Sequence, residues 1–304
     1  MAFSKLSGDE QGIIVGQLRN ALEPRLVMYF SSANKELRAL LPPALQRELR
    51  ADYEEATALC LNVGMRDCKE LREATEINWY EKGLTAADLA TLAKLGSVLP
   101  ALVGLWLEER SASAESPTGF PDGALRLADG LVAGALPALT YLTIGLRLGD
   151  AGASALAAAL DRGALPRLEF LDLDVAAIGD AALVALAPVL RRLSALDSLR
   201  LWSNPFGDEG LAALVAPPPP AGTPPRPAGG LKKLKTLNLM STQVTDDGCA
   251  TLVAALDSGA LPALYRLELE GIPSAAAIEA VHEAMARSRW HAHEALARVY
   301  RARG

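Results

Sequence analysis

Leu165-Pro166-Arg167-Leu168-Glu169-Phe170-Leu171-Asp172-Leu173-Asp174-Val175-Ala176-Ala177-Ile178-Gly179-Asp180, followed by the alanine- and leucine-rich run Ala181 to Leu190, joins two periodicities in one unit. Leucines stand at Leu165, Leu168, Leu171 and Leu173, with an aliphatic at Ile178 and a Gly179-Asp180 turn. Beyond the turn, Leu183, Leu186 and Leu190 recur at helical spacing. The first half alternates at a period of two and the second half at the period of a helix, so the unit reads as strand, turn, helix.

The same skeleton extends outward in both directions. It fits Leu136, Leu139, Leu142, Ile144; Leu193, Leu196, Leu199, Leu201; Leu231, Leu234, Leu237, Leu239; and Leu261, Leu264, Leu267, Leu269. Upstream it fits Leu99, Leu102, Leu105, Leu107 and, with two substitutions, Leu71, Ala74, Ile77, Trp79. Seven units therefore start at 71, 99, 136, 165, 193, 231 and 261, separated by 28, 37, 29, 28, 38 and 30 residues, so two intervals carry insertions.

A repeat near 28 residues, with one strand and one helix, resembles the leucine-rich repeat in its long, ribonuclease-inhibitor-like class. The resemblance covers about Leu71 to Arg287. It implies an α/β leucine-rich-repeat solenoid, a curved parallel β-sheet inside and helices outside, with an N-terminal helical cap. Elementary packing gives the same expectation. A lone strand-helix unit cannot bury both apolar sides, so units stack, and because helices are wider than paired strands the stack bends. Asn204 stands where the family usually has an asparagine bonding turn backbone, while Ala176, Thr242 and Ile272 stand there in neighbouring units, which implies an incomplete asparagine ladder.

Half of the 304 residues are apolar, enough for a continuous core, and the net charge of −6 argues against general nucleic-acid binding. Cys60, Cys68 and Cys249 form neither a disulfide framework nor a zinc site and fit a reducing compartment. Met1 to Asn20 lacks the basic start and long apolar run of a signal peptide, and no run of eighteen apolar residues appears. The expectation is a cytoplasmic protein, with the nucleus as an alternative, and without a membrane span.

Residues 1–60 do not obey the repeat. Leu6, Ile13, Ile14 and Leu18 suggest a short helix opened by Ser7 with Glu10 at capping-box spacing. After Pro24 come one or two helical turns through Leu26, Phe30, Leu37 and Leu40, and after Pro42-Pro43 a charged amphipathic helix over Ala44 to Ala58. One reading is a cap over the exposed flank of the first unit. The other is a resemblance to an F-box, carried by Leu6-Ser7-Gly8-Asp9-Glu10, Ile13-Ile14, Leu18, Pro24-Arg25 and Ser32 to Leu40. That resemblance implies docking of residues 6–40 onto the adaptor of a cullin ubiquitin ligase, with the repeats holding the substrate. The expected organisation is thus 1–60 cap or F-box-like segment, 61–286 about seven repeats, and 287–304 a basic helical tail.

In each repeat strand the leucines point inward, so the alternate residues face the concave side. Three columns follow: Glu76, Gly104, Tyr141, Phe170, Ser198, Thr236, Arg266; then Asn78, Trp106, Thr143, Asp172, Arg200, Asn238, Glu268; then Tyr80, Glu108, Gly145, Asp174, Trp202, Met240, Glu270. Tyr80, Trp106, Tyr141, Phe170 and Trp202 sit where folding alone does not require aromatics, and such residues are enriched in binding hot spots. Trp79, by register, belongs to the core. Glu76, Glu108, Asp172, Asp174, Glu268 and Glu270 stand against Arg200 and Arg266, an acidic face that would steer basic partners. The candidate partner-binding set is Tyr80, Trp106, Glu108, Tyr141, Phe170, Asp172, Asp174, Arg200, Trp202, Asn238, Met240, Arg266, Glu268 and Glu270.

The long intervals hold a polar loop, Arg110 to Phe120, and a segment Ala216 to Gly230 with seven prolines, which ends a helix near Val215 and carries the minimal proline-motif match Pro224-Pro225-Arg226-Pro227. The tail has five arginines against Glu294 and an apolar stripe at Ala295, Leu296, Val299 and Tyr300, so it reads as a helix over the last unit. His291 and His293 are two apart, which does not suit metal ligation from one helical face. No phosphate loop, Gly-x-Ser-x-Gly elbow or His-Glu-x-x-His occurs. Asp172 and Asp174 are adjacent outward carboxylates, expected on an open surface that would not raise either pKa. No catalytic residue, cofactor or metal is expected. The sequence points to a non-enzymatic scaffold or receptor gripping a protein with a basic surface. The F-box-type ligase subunit, the inhibitor of a basic enzyme and the small-GTPase activator are alternatives that the resemblance allows.

Overall fold

The computed structural model describes residues 20–23, 43–108, 120–216 and 231–302. Helix α1 (Pro43–Asn62) starts on Pro43, a residue suited to the first helical turn, and buries Leu45, Leu49, Ala56, Leu59 and Cys60 along one stripe. Helix α2 (Cys68–Glu73) is capped by Asp67, whose carboxylate accepts the Glu70 N–H at 2.9 Å. The strands are β1 (Glu76–Tyr80), β2 (Gly104–Glu108), β3 (Tyr141–Gly145), β4 (Phe170–Asp172), β5 (Ser198–Arg200), β6 (Thr236–Asn238) and β7 (Arg266–Glu268). Each begins five residues after the start of its leucine unit. Between and after them lie α3 (Ala86–Leu95), α4 (Phe120–Gly130), α5 (Gly149–Asp161), α6 (Asp180–Leu190), α7 (Asp208–Val215), α8 (Asp246–Asp257) and α9 (Ala275–Ala302).

The strands form one seven-stranded sheet in chain order, and every pair is parallel. Each helix from α3 to α9 packs on the next, and α1 packs on α3. The result is two curved layers with a continuous leucine core between them: Leu142, Leu171, Leu199, Leu237 and Leu267 are paired across adjacent strands and all buried. Trp79 is 2% exposed and belongs to that core, as its leucine-type position requires. Cap and first repeat are tied by Asn62 Nδ2 donating to Asp88 Oδ2 at 3.0 Å and by Lys94 Nζ against Glu55 Oε2 at 2.8 Å. Asp88 also completes a capping box with Thr85 at the start of α3.

Successive units are joined at their turns by two sets of side chains. Asn204 is buried; its Oδ1 accepts the Ile178 N–H at 2.9 Å, and its Nδ2 donates to the carbonyls of Leu173 at 2.8 Å and Leu201 at 3.0 Å. At the matching place Thr242 is buried and donates to the Leu239 carbonyl at 2.8 Å. Ile272, placed by the leucine register at the same inward turn position, is instead exposed; the bridge partner of Thr242 is Gly271, so the chain has slipped by one residue there, beside the open end of the sheet.

The second set escaped the leucine pattern. Asp150 Oδ1 accepts the Gly179 N–H at 2.8 Å, and Asp180 Oδ1 accepts the N–H groups of Gly207 and Gly210, each at 2.8 Å. Asp208 takes the Thr245 N–H at 2.8 Å and Asp246 the Ser274 N–H at 2.7 Å. Each aspartate lies at the start of a repeat helix, where the macrodipole favours an anion, and reaches the corresponding turn of the following unit. The approach needs bare backbone: a Cβ on Gly210 would stand 2.8 Å from Asp180 Oδ1, and one on Gly248 2.2 Å from Asp208 Oδ1. This aspartate ladder bonds successive units both where an asparagine bridges the turn, as Asn204 does, and where none does.

Residues 6–19 and 24–40 of the F-box-like segment, the loop at 109–119 and the prolines at 217–230 lie outside the described residues. The basic tail continues from the last repeat helix, since α9 runs unbroken from Ala275 to Ala302; the stripe expected at Ala295, Leu296, Val299 and Tyr300 lies among side chains outside those described.

Candidate functional site: the concave sheet face

The registers pair the outward residues as the alternation requires. Tyr141 is opposite Gly104 and Phe170, Asp172 is opposite Thr143 and Arg200, and Asn238 lies between Arg200 and Glu268. Beyond the short strands the third column continues through backbone bonds, with the Val175 N–H donating to Trp202 O at 2.9 Å and the Ser203 N–H to Met240 O at 2.9 Å.

Aromatics on the first three central strands form a ladder. Tyr141 and Phe170 stack with centroids 4.6 Å apart and planes 15° apart, and Trp106 lies 6.2 Å from Tyr141 at 31°. Trp106 reaches that row although it belongs to the second column, because its indole folds back over Gly104; a Cβ there would stand 2.4 Å from the ring. Glu108 lies flat across β3 in the same way, over Gly145, where a Cβ would meet Glu108 Cγ at 2.7 Å. Tyr141 is 43% exposed and Tyr80 41%, while Trp106, Phe170 and Trp202 are half-buried. The aromatic face is thus partly self-covered and still open to solvent.

Asp172, Asp174 and Glu268 are bonded rather than simply solvated. Arg200 Nη2 is 2.7 Å from Asp174 Oδ2, and its Nε is 3.4 Å from Asp172 Oδ2. Asp174 Oδ1 accepts the Trp202 N–H at 2.7 Å, and Asp172 Oδ1 accepts the Asp174 N–H at 2.9 Å. Asn78 and Asn238 take the N–H two residues onward in the same manner, at 3.1 Å and 3.0 Å, so three of the seven second-column residues cap the exit of their strand. Asn238 Nδ2 also donates to Glu268 Oε2 at 2.6 Å, and Arg266 Nη2 meets Glu268 Oε1 at 2.5 Å. Met240 is half-buried, and Arg266 and Glu270 are exposed at the β7 end.

The expectation that an open surface would leave Asp172 unshifted is overturned. Asp172 is only 9% exposed, and its pKa is pushed up to about 6. Burial is the main cause; the negative charges of Asp174 and Glu108 add to it, while the Asp174 N–H and Arg200 oppose it. The sheet is concave and its neighbouring side chains are large, so an outward side chain at the centre of the arc is still desolvated. The thiols show no activating environment: burial first, then the neighbouring Cys68, push Cys60 up to about 12, and burial raises Cys249.

Stacked strand-turn-helix units with a parallel inner sheet define a leucine-rich-repeat solenoid. A family model described as Leucine Rich repeat matches residues 196–215 and 230–253, the fifth and sixth units of the stack. Among solved structures, leiomodin-1 actin-binding site 2 is similar at 13% identity and a TM-score of 0.34, over 83% of this chain and 97% of that one. An internalin from Listeria monocytogenes is similar at 15% identity and a TM-score of 0.34, over 68% of this chain and 51% of its own. No curated protein matches the sequence. The chain has the fold of a leucine-rich-repeat solenoid, and the repeat family itself is matched over two of its seven units.

Proposed function

We propose that the protein is a non-catalytic scaffold that holds a protein partner with a basic surface against its concave face. The observation that carries this is the ladder Trp106–Tyr141–Phe170, stacked and solvent-open on strands whose core is already complete without it. A rigid sheet presents such rings at little entropic cost, and desolvating them is the commonest source of interface hot spots. Glu76 and Glu270, exposed near the two ends of the arc, and Glu108 on β2 supply the acidic field. Three free, buried thiols suit a reducing compartment.

The test is affinity capture of the partner by the intact chain and by Tyr141→Ala/Phe170→Ala, with circular dichroism showing both forms folded. Capture should fall at least ~10-fold with the double substitution, the scale of a hot-spot truncation. Unchanged capture by a folded variant would rule out the concave face as the docking surface.

A further inference from the structure

We infer that the protein pairs with a second copy of itself through the outer edge of β7, the two strands running antiparallel about a two-fold axis at Leu267. The inference does not depend on what the concave face binds.

The two ends of the stack are finished differently. At the first strand, Ile77 and Trp79 are closed off from solvent in one core with Leu59 of α1 and Leu71 of α2. At the last strand, Leu267 is 9% exposed and Leu269 5%, whereas their counterparts Leu171, Leu199, Leu237 and Leu173, Leu201, Leu239 are fully buried. Tyr265, just before β7, and Ile272, four residues after it, are each more than half exposed. Among the described residues no strand pairs with the free side of β7.

Backbone parity says which groups that edge offers. The Arg266 N–H donates to Lys235 O at 3.0 Å, and the carbonyls of Glu268 and Glu270 accept from Leu239 at 2.8 Å and Ser241 at 3.0 Å. Residues 266, 268 and 270 therefore turn their peptide groups toward β6, and those of Leu267 and Leu269, which alternate with them, point away from the sheet. An antiparallel strand satisfies these groups when Leu267 stands opposite Leu267, and Tyr265 opposite Leu269, of the second copy. A slip of one residue would set outward peptide groups against inward ones.

Side chains select the same register. With Leu267 on the axis, Arg266 of each copy lies opposite Glu268 of the other, in the non-hydrogen-bonded pairs where side chains approach most closely. Arg266 and Glu268 already meet at 2.5 Å within one copy, and Arg266 is mostly exposed, so pairing closes a ring of four alternating charges. A slip of two residues puts Arg266 opposite itself or Glu268 opposite itself, and directly opposed like charges repel. Short, charged edge strands ordinarily keep sheets apart. Here the charges lie on the concave face, beside the edge rather than across it, and their order is self-complementary. The axis stands perpendicular to the sheet, so both helix layers stay on one side, the two concave faces become continuous, and the assembly closes at two copies.

The test is sedimentation equilibrium of the full chain from ~1 to ~500 µM, the range of a small reversible interface, with amide exchange measured at both limits. Wild type should pass from monomer to dimer, and exchange at the Leu267 amide should slow at least ~5-fold at the high concentration. Glu268→Arg and Arg266→Glu, shown folded by circular dichroism, should each stay monomeric, because each sets like charges opposite one another. Mixed one to one they should dimerise, since the mixture restores two opposite-charge pairs, and Arg266→Glu/Glu268→Arg should dimerise as wild type does. A wild type monomeric throughout, dimers unaffected by either single substitution, a mixture of folded variants that stays monomeric, or a dimer without slowed exchange at Leu267 would each overturn the proposal. Species growing past two copies would overturn the two-fold closure. Where a single variant fails to fold, the wild-type dimer and its Leu267 exchange decide.

Discussion

One set of aspartates recurs with the repeat and a second sits within a single unit, and the two do opposite things. At the helix-start edge, Asp150, Asp180, Asp208 and Asp246 each accept backbone N–H groups of the next unit at 2.7 to 2.8 Å, and none is crowded by another carboxylate in those bonds. On the concave face, Asp172 and Asp174 sit two residues apart on one strand exit, share one arginine, and one of them is pushed up to about 6. The edge set spends its negative charge on joining units. The face set keeps negative charge in excess of what its own neighbours neutralise. Sequence period locates a carboxylate in a repeat; the donors around it decide whether it is mortar or bait.

The largest effect should come from breaking the mortar. In Asp180→Ala, the N–H groups of Gly207 and Gly210 lose their common acceptor, and Gly210 is buried. Two charge-assisted bonds are removed and a buried donor is orphaned, which should cost about 2–3 kcal/mol in urea unfolding. Because repeats interact only with neighbours, amide exchange should rise most in α6 and α7. Asp180→Asn, which keeps an acceptor oxygen, should lose less than half as much. An alanine variant as stable as the wild type would mean that the ladder is ornamental.

The face set should answer in the other direction. The unfolded chain gives up an aspartate proton near 3.8, whereas Asp172 in the fold holds it up to about 6. Between those values the folded state binds the extra proton. Its contribution to stability is therefore present at low pH and is lost as pH rises through that window. Asp172→Asn has no proton to lose and keeps an oxygen for the Asp174 N–H, as Asn78 and Asn238 do in their own units. Arg200 retains Asp174. The variant should flatten the fall in stability between pH 4 and pH 6 and be roughly 1–2 kcal/mol more stable than wild type at pH 7. A destabilised variant at pH 7 would place Asp172 with the mortar.

What could be read in the chain divides along the same line. All seven strands and the three outward columns were legible, because leucine alternation fixes side-chain direction and both insertions fall outside the strands. The aspartate ladder was present as a recurring Asp at 150, 180, 208 and 246, with Gly210 and Gly248 two residues beyond the last two, yet it lies off the leucine skeleton and only backbone geometry shows what it bonds. Burial of Asp172 was misread because alternation says which way a side chain points and nothing about how deeply curvature and large neighbours cover it. The folding of Trp106 and Glu108 over Gly104 and Gly145 depends on the space left by residues that look featureless in sequence.

The smallest expected effect lies at the rim where the two regions meet. Val175 follows Asp174, donates its N–H to Trp202 O, is 48% exposed, and has φ +57. Ser203 and Ser241, each at φ +56, hold the same place in the next two units, so the left-handed conformation belongs to the repeat and only the valine is unsuited to it. A β-branched residue crowds its own backbone in that region, and half of its side chain gains nothing from burial. Val175→Gly relieves the crowding but gives the unfolded chain more freedom, so the net gain in thermal unfolding should be only about 0.5–1 kcal/mol. Partner capture by the same variant tells whether Val175 belongs to the docking surface. A more stable protein with weaker capture would extend the docking surface from the ladder over the rim, because an exposed apolar side chain kept at a cost to stability is then explained by what covers it; a more stable protein with unchanged capture confines the docking surface to the strands.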